Sequence, residues 1–180
     1  MSRMSANQGF TLMELMIAIA VLGVLLALGW PSFTEALSNN RLAAASNSMI
    51  AGVNLARTEA MRSSQGGGAG VCPSADGATC ANNWSAGWLV WTDTNSDGAK
   101  AANEPAIRYF QGNPAQVALA SAGAAVPMII FDRRGRMTTP AANAVFTSHT
   151  VDCTAGAANK QRRLTVTRAG QVRIQKESCS

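Results

Sequence analysis

Charge is scarce in this chain: Asp, Glu, Lys and Arg together make up 14% of its 180 residues. Histidine occurs once, at His149, and none of the four cysteines stands in a Cys-x-x-Cys pair. That argues against a zinc centre of the usual ligand spacing. No glycine-rich loop opens a helix, so a P-loop type of phosphate cradle has no place to form. A lone His149, with cysteines better used on each other, leaves no catalytic constellation. The chain is therefore expected not to be an enzyme and to hold no cofactor, one calcium candidate apart.

The cysteines are Cys72, Cys80, Cys153 and Cys179. Their even number fits two disulfides made outside the cytoplasm. Proximity in sequence favours Cys72 with Cys80 and Cys153 with Cys179, although four cysteines allow three pairings. The length suits one domain with a modest core.

What the chain has in quantity is apolar sequence, 47% of the whole. Much of it is one run, residues 10–30, FTLMELMIAIAVLGVLLALGW, in which only Thr11 and Glu14 are clearly polar. As a helix the run spans roughly 30 Å, the thickness of a bilayer core. A polar leader, MSRMSANQG at 1–9, precedes it. A secretory signal places its small-residue cleavage site after the apolar stretch. Here Gly9 comes before it, so cleavage after Gly9 would leave the helix on the mature protein. A plain membrane anchor does not account for Glu14, since a carboxylate inside an apolar span is costly and is usually paired or functional. A new amine at Phe10 would offer it a cation, from its own chain or from a neighbour in a bundle of such helices.

The string GFTLMEL at 9–15 resembles the class III signal of type IV pilins and type II secretion pseudopilins. The resemblance implies cleavage and N-methylation at Phe10 by a prepilin peptidase, with Glu14 in assembly. Pro31 stands where many such proteins have a helix-kinking proline, and proline in a helix favours a bend. Beyond it, Phe33, Leu37, Met49, Val53, Ala56 and Ala60 recur at helical spacing and predict a stripe facing a sheet. The run GGGAG at 66–70 reads as the end of that helix and a flexible link. Strand-like pieces follow at 71–72, 87–92, 106–110, 128–131, 163–167 and 171–175. NLARTEAMR at 54–62, WSAGWLVWTD at 84–93, EPAIR at 104–108 and GQVR at 170–173 are similar to the GspH/FimT family of minor pilins and pseudopilins.

Two constellations stand apart. DTNSDGAKAANE at 93–104 fits the calcium pattern D-x-N-x-D-G-x5-E, with Asp93, Asn95, Asp97 and Glu104 as side-chain ligands. Its flanks look like strands rather than helices, and Lys100 replaces an aliphatic residue. A hairpin turn capped by its own side chains fits equally. The second constellation is the basic C-terminus. Residues 1–131 hold 6 Lys/Arg and 7 Asp/Glu, a net −1, whereas residues 132–180 hold 9 and 3, a net +6. Residues 160–176 read KQRRLTVTRAGQVRIQK. A three-residue loop at 168–170, with Gly170 left-handed, pairs Val166 with Val172 and Leu164 with Ile174. Arg163 and Arg173 then share the outer face, and Arg168 sits at the tip. With Lys176, and with Arg133, Arg134 and Arg136 adding to the field, this ribbon could neutralise DNA phosphates without reading sequence. Some FimT-like proteins bind DNA for natural transformation through a Gly-Arg-x-Arg motif near this place; here Gln171 stands at its first arginine. A basic surface that docks onto neighbouring pilins is the other use for the same residues.

The expected architecture is α+β and type IV pilin-like: a long N-terminal helix packed on a small antiparallel sheet domain. Its parts are a leader at 1–9, a transmembrane and assembly helix at 10–30, an amphipathic continuation at 31–65 and a β domain at 66–180. The resemblance implies a single-pass protein of the bacterial inner membrane, with its C-terminal domain in the periplasm. It would enter a pilus or a pseudopilus beside other pilins. The expected role is a minor pilin of the FimT/FimU kind, with a GspH-like pseudopilin of type II secretion as the alternative. Double-stranded DNA is a candidate partner.

Overall fold

The longest apolar stretch and the strongest helical periodicity fall on one element, helix α1 at Leu12–Arg62. The computed structural model describes residues 10–63 and 67–179. The leader residues, Gly9 among them, lie outside the described part. α1 runs through Pro31 without a break and belongs to two units, Met1–Ser38 and Asn39–Ser180. In the first unit its large apolar side chains all face outward, from 39% exposure at Leu37 to 76% at Leu12, and Phe10 just before the helix is 82% exposed.

In the second unit the helix buries a stripe. Leu42, Ser46, Met49, Val53, Ala56 and Ala60 recur in steps of four and three and are almost wholly inaccessible. The expected stripe is therefore right from Met49 onward. Phe33 and Leu37, however, are exposed and belong to the first unit. The core-facing row begins instead at Leu42. Ser46 keeps its hydroxyl satisfied there by donating to the Leu42 carbonyl at 2.8 Å, so this buried polar group carries little penalty.

Among the described residues nine strands follow: β1 Gly68–Pro73, β2 Gly87–Asp93, β3 Ala106–Gln111, β4 Val117–Ser121, β5 Ile129–Phe131, β6 Met137–Thr139, β7 Ala144–Thr150, β8 Gln161–Val166 and β9 Val172–Glu177. They form two antiparallel sheets rather than one, in the orders β3-β2-β1-β5-β6 and β4-β7-β8-β9. Met49, Val53, Ala56 and Ala60 pack with Val71, Val90 and Phe131 of the first sheet and Phe146, Leu164 and Val166 of the second. Two alanines on the helix let the strands approach closely. The outer face of the first sheet has its own small core of Cys72, Leu89, Trp91 and Ile130, against which Cys80 and Tyr109 pack. The bridges join Cys72 to Cys80 and Cys153 to Cys179.

Gly66 lies outside the described residues, but from Gly67 to Gly70 the run is not a flexible link. Gly68 and Gly70 lie in β1, the central strand of the five, and are buried together with Gly67. An added Cβ would stand 2.1 Å from the Asp93 carbonyl oxygen at Gly67 and 2.4 Å from that of Phe131 at Gly68. At Gly70 it would stand 2.7 Å from the Trp91 ring. These glycines are demanded by close approach, a use of glycine that sequence alone confuses with flexibility.

Candidate functional site

The N-terminus of α1 is built from Thr11. It precedes the first helical residue, accepts the Glu14 amide on its hydroxyl at 3.2 Å and the Leu15 amide on its carbonyl at 3.2 Å. Thr11 is thus the N-cap and Glu14 the third helical residue, the spacing of a capping box. Sequence reasoning passed over Thr11 as a stray polar residue. The cap fixes Glu14 in the first turn, where the helix dipole favours an anion. Beside it Phe10 is exposed.

The loop between β2 and β3 spends its side chains on itself. Asp93 accepts the Gly98 amide at 3.0 Å, and Glu104 accepts those of Thr94 at 2.8 Å and Ala101 at 2.9 Å. Asn95 accepts the Asp97 amide at 3.1 Å, and Asp97 accepts that of Ala99 at 2.8 Å. The four residues with a calcium-like spacing act as turn caps. Among the described residues no group of three or more His, Cys, Asp or Glu is arranged to hold a metal. Asp93 and Glu104 are buried, and one Asp93 oxygen has no hydrogen-bond partner among the described residues. Burial pushes the Asp93 carboxyl up, against the Gly98 and Ser96 amides that pull it down; nearby Glu104 and Asp97 push it further up.

The basic hairpin has the expected register: Leu164 faces Ile174 and Val166 faces Val172. The loop closes through Thr167 N–H to the Gln171 carbonyl at 2.9 Å and Gly170 N–H to the Thr167 carbonyl at 2.8 Å, with Gly170 at φ +74°. Its charges are not distributed evenly. Arg163 donates to Glu177 from the neighbouring strand, which raises the arginine and lowers the carboxyl. Lys176 lies opposite Arg162, on the face of Leu164 and Ile174 rather than that of Arg163 and Arg173. Arg168 and Arg173 are exposed.

Arg133, Arg134 and Arg136, in the β5–β6 turn, are exposed as well. The ion pairs among the described residues join Arg62 to Glu59, Lys160 to Asp152 and Arg163 to Glu177. None of them uses Arg133, Arg134, Arg136, Arg168 or Arg173. Arrangement of the basic surface therefore depends on residues far apart in sequence, which the hairpin alone does not reveal.

Known proteins resemble this chain along most of its length. The family described as Type II transport protein GspH matches residues 45–170. The prokaryotic N-terminal methylation motif matches residues 4–30. The pilin-like protein PilA1 of Thermus thermophilus is 32% identical over 94% of this chain and 99% of its own length. The type IV major alpha-pilin of Moraxella bovis is 41% identical over 49 residues, 27% of this chain and 31% of that relative. The crystal structure of the type IV minor pilin FimU of Pseudomonas aeruginosa superposes with a TM-score of 0.54 and 19% identity. That superposition covers 77% of this chain and 100% of FimU, and it shows a shared fold.

Proposed function

The chain belongs to the GspH family of minor pilins and pseudopilins, and on that premise we propose that it is a minor type IV pilin acting in pilus initiation or at the pilus tip. The observation that carries this is the apolar first half of α1, exposed on every side and carrying a capped Glu14. Such a surface needs lipid before assembly and neighbouring helices after it. Prepilin peptidase cuts after Gly9 and methylates Phe10. The protein then waits in the inner membrane with its C-terminal domain in the periplasm, and Glu14 meets the amine of a terminal Phe10 during docking. In sheared filaments, Glu14→Leu is expected to be absent while the membrane fraction keeps it. Recovery of that variant in filaments at the wild-type level would overturn the assembly role of Glu14. Deleting the gene and scoring piliation and secretion separately distinguishes a pilin from a type II secretion pseudopilin.

A second activity is binding of double-stranded DNA. Five exposed arginines without ion-pair partners among the described residues support it. Arg168→Ala and Arg173→Ala are each expected to weaken binding and flatten its salt dependence by about one counterion. Lys176→Ala, on the other face of the ribbon, is expected to matter less. Arg163 contributes little while Glu177 holds it. Equal mobility shifts for wild type and both arginine variants would remove the DNA activity from this hairpin.

A further inference from the structure

The β5–β6 and β8–β9 turns are built alike. In the first, Asp132 N–H donates to the Arg136 carbonyl at 2.9 Å and Gly135 N–H to the Asp132 carbonyl at 2.8 Å, with Gly135 at φ +69°. In the second, Thr167, Gln171 and Gly170 repeat that pattern, with Gly170 at φ +74°. The first residue of each caps the fifth: Arg136 N–H donates to the Asp132 carboxylate at 2.9 Å, and Gln171 N–H to the Thr167 hydroxyl at 3.2 Å. Each is a three-residue loop with a left-handed glycine last, and each has arginine first.

The two turns also touch. Met137 N–H, just after the first turn, donates to the Arg168 carbonyl in the second at 2.9 Å. A Cβ on Gly170 would stand 2.9 Å from the Gly135 carbonyl oxygen. Arg57 of α1 lies against both glycines. Its Nε donates to the Gly135 carbonyl at 3.2 Å, and its Cδ would stand 2.7 Å from a Cβ on Gly170. Both glycines are thus needed twice over, for their positive φ and for the room Arg57 takes.

We infer that these paired turns form one polyanion-binding surface, with Arg133, Arg134, Arg136 and Arg168 contacting the phosphates of double-stranded DNA and Arg57 acting as the positioning residue that locks the turns together. This rests on the DNA reading above and moves its centre from the face of the β8–β9 ribbon to the junction of two turns. Fixed backbones set where the four arginines leave the chain before binding, so less backbone ordering is needed when a phosphate chain arrives. Apart from the arginines the loops contain only Gly135, Ala169 and Gly170. With no aromatic or large apolar group to enter a bilayer, the surface suits a phosphodiester backbone rather than a lipid membrane. Without aromatics there is no base stacking either, so binding is insensitive to sequence and steep in salt.

The test uses the full-length chain in detergent, a labelled DNA duplex of mixed sequence, and a salt titration. Combined Arg133→Gln, Arg134→Gln and Arg136→Gln is expected to weaken binding at least tenfold and to lower the salt slope by about two to three contacts. Thermal unfolding of this variant should match wild type, since all three side chains are exposed. For the positioning role, the effects of Arg133→Gln and Arg168→Gln should be coupled in wild type and additive in an Arg57→Met background. Additivity in both backgrounds would overturn the role of Arg57. If wild type binds DNA and the triple variant binds equally well, the two-turn surface is wrong while the DNA reading stands. If wild type does not bind DNA, that reading falls and takes the proposal with it. If the triple variant loses only binding to phosphatidylglycerol vesicles, the surface is a lipid site and the proposal fails.

Discussion

Asp76 and Asp93 show how far the fold pulls like residues apart. Asp76 takes the amides of Thr79 and Ala78, and these hold its carboxyl well below the usual carboxylate range. Its contribution to stability is present at neutral pH and is lost only as pH falls toward that low value. Asp93 has the opposite sign. Burial raises its carboxyl above its unfolded value, so the folded state binds the proton more readily than the unfolded chain does. Stability linked to Asp93 is therefore greatest below the ordinary aspartate range and declines as pH rises through the raised folded value. Asp93→Asn should remove that decline, read as a flatter dependence of the urea midpoint on pH above the ordinary aspartate pKa. An unchanged slope would show that Asp93 does not titrate in the loop.

At the scale of elements, α1 divides by what its side chains bury. Met49→Ala empties a fully buried position and is expected to cost about 2–5 kcal/mol. Leu37→Ala, at 39% exposure, should leave the unfolding midpoint of the β domain nearly unchanged. Paired chemical denaturation curves check both. Much of this was legible beforehand, because helix periodicity is carried by large apolar residues. The β8–β9 register was legible too, since only one loop length keeps valine opposite valine and leaves glycine for the left-handed position. The strands that escaped notice lack such marks. β7 puts Ala144, Phe146, Ser148 and Thr150 inward, so half of its buried face is polar. Ser148 finds the Ser46 hydroxyl at 3.3 Å, a partner 102 residues away that no local pattern announces. β4, VALAS, is weak in β-formers, and β6 is three residues long. In the basic surface the arginines were legible as a charge excess. The pairing of Arg163 with Glu177 and the contact of the two turns were not, because both depend on how strands register in space.

Across the whole molecule, the disulfides brace different sheets. Cys72–Cys80 closes a loop of sequence separation 8 beside the first sheet, and Cys153–Cys179 closes one of 26 around the end of the second. In the loop-entropy account these closures are worth about 2.5 and about 3.5 kcal/mol respectively. Replacing Cys153 and Cys179 together by serine should therefore lower stability more than the same change at Cys72 and Cys80. Equal losses in calorimetry would point to strain or residual unfolded structure instead. On the proposed topology, the spacing of these cysteines also imposes an order of events on a β domain that leaves the membrane beginning with β1 and β2. The bridge beside the first sheet can close while β4 to β9 are still to come. The second sheet cannot be sealed until Cys179 has crossed. A stalled or truncated export intermediate would thus carry one finished bridge and one lone thiol at Cys153, a chemical mark by which incomplete subunits can be told from those ready to assemble.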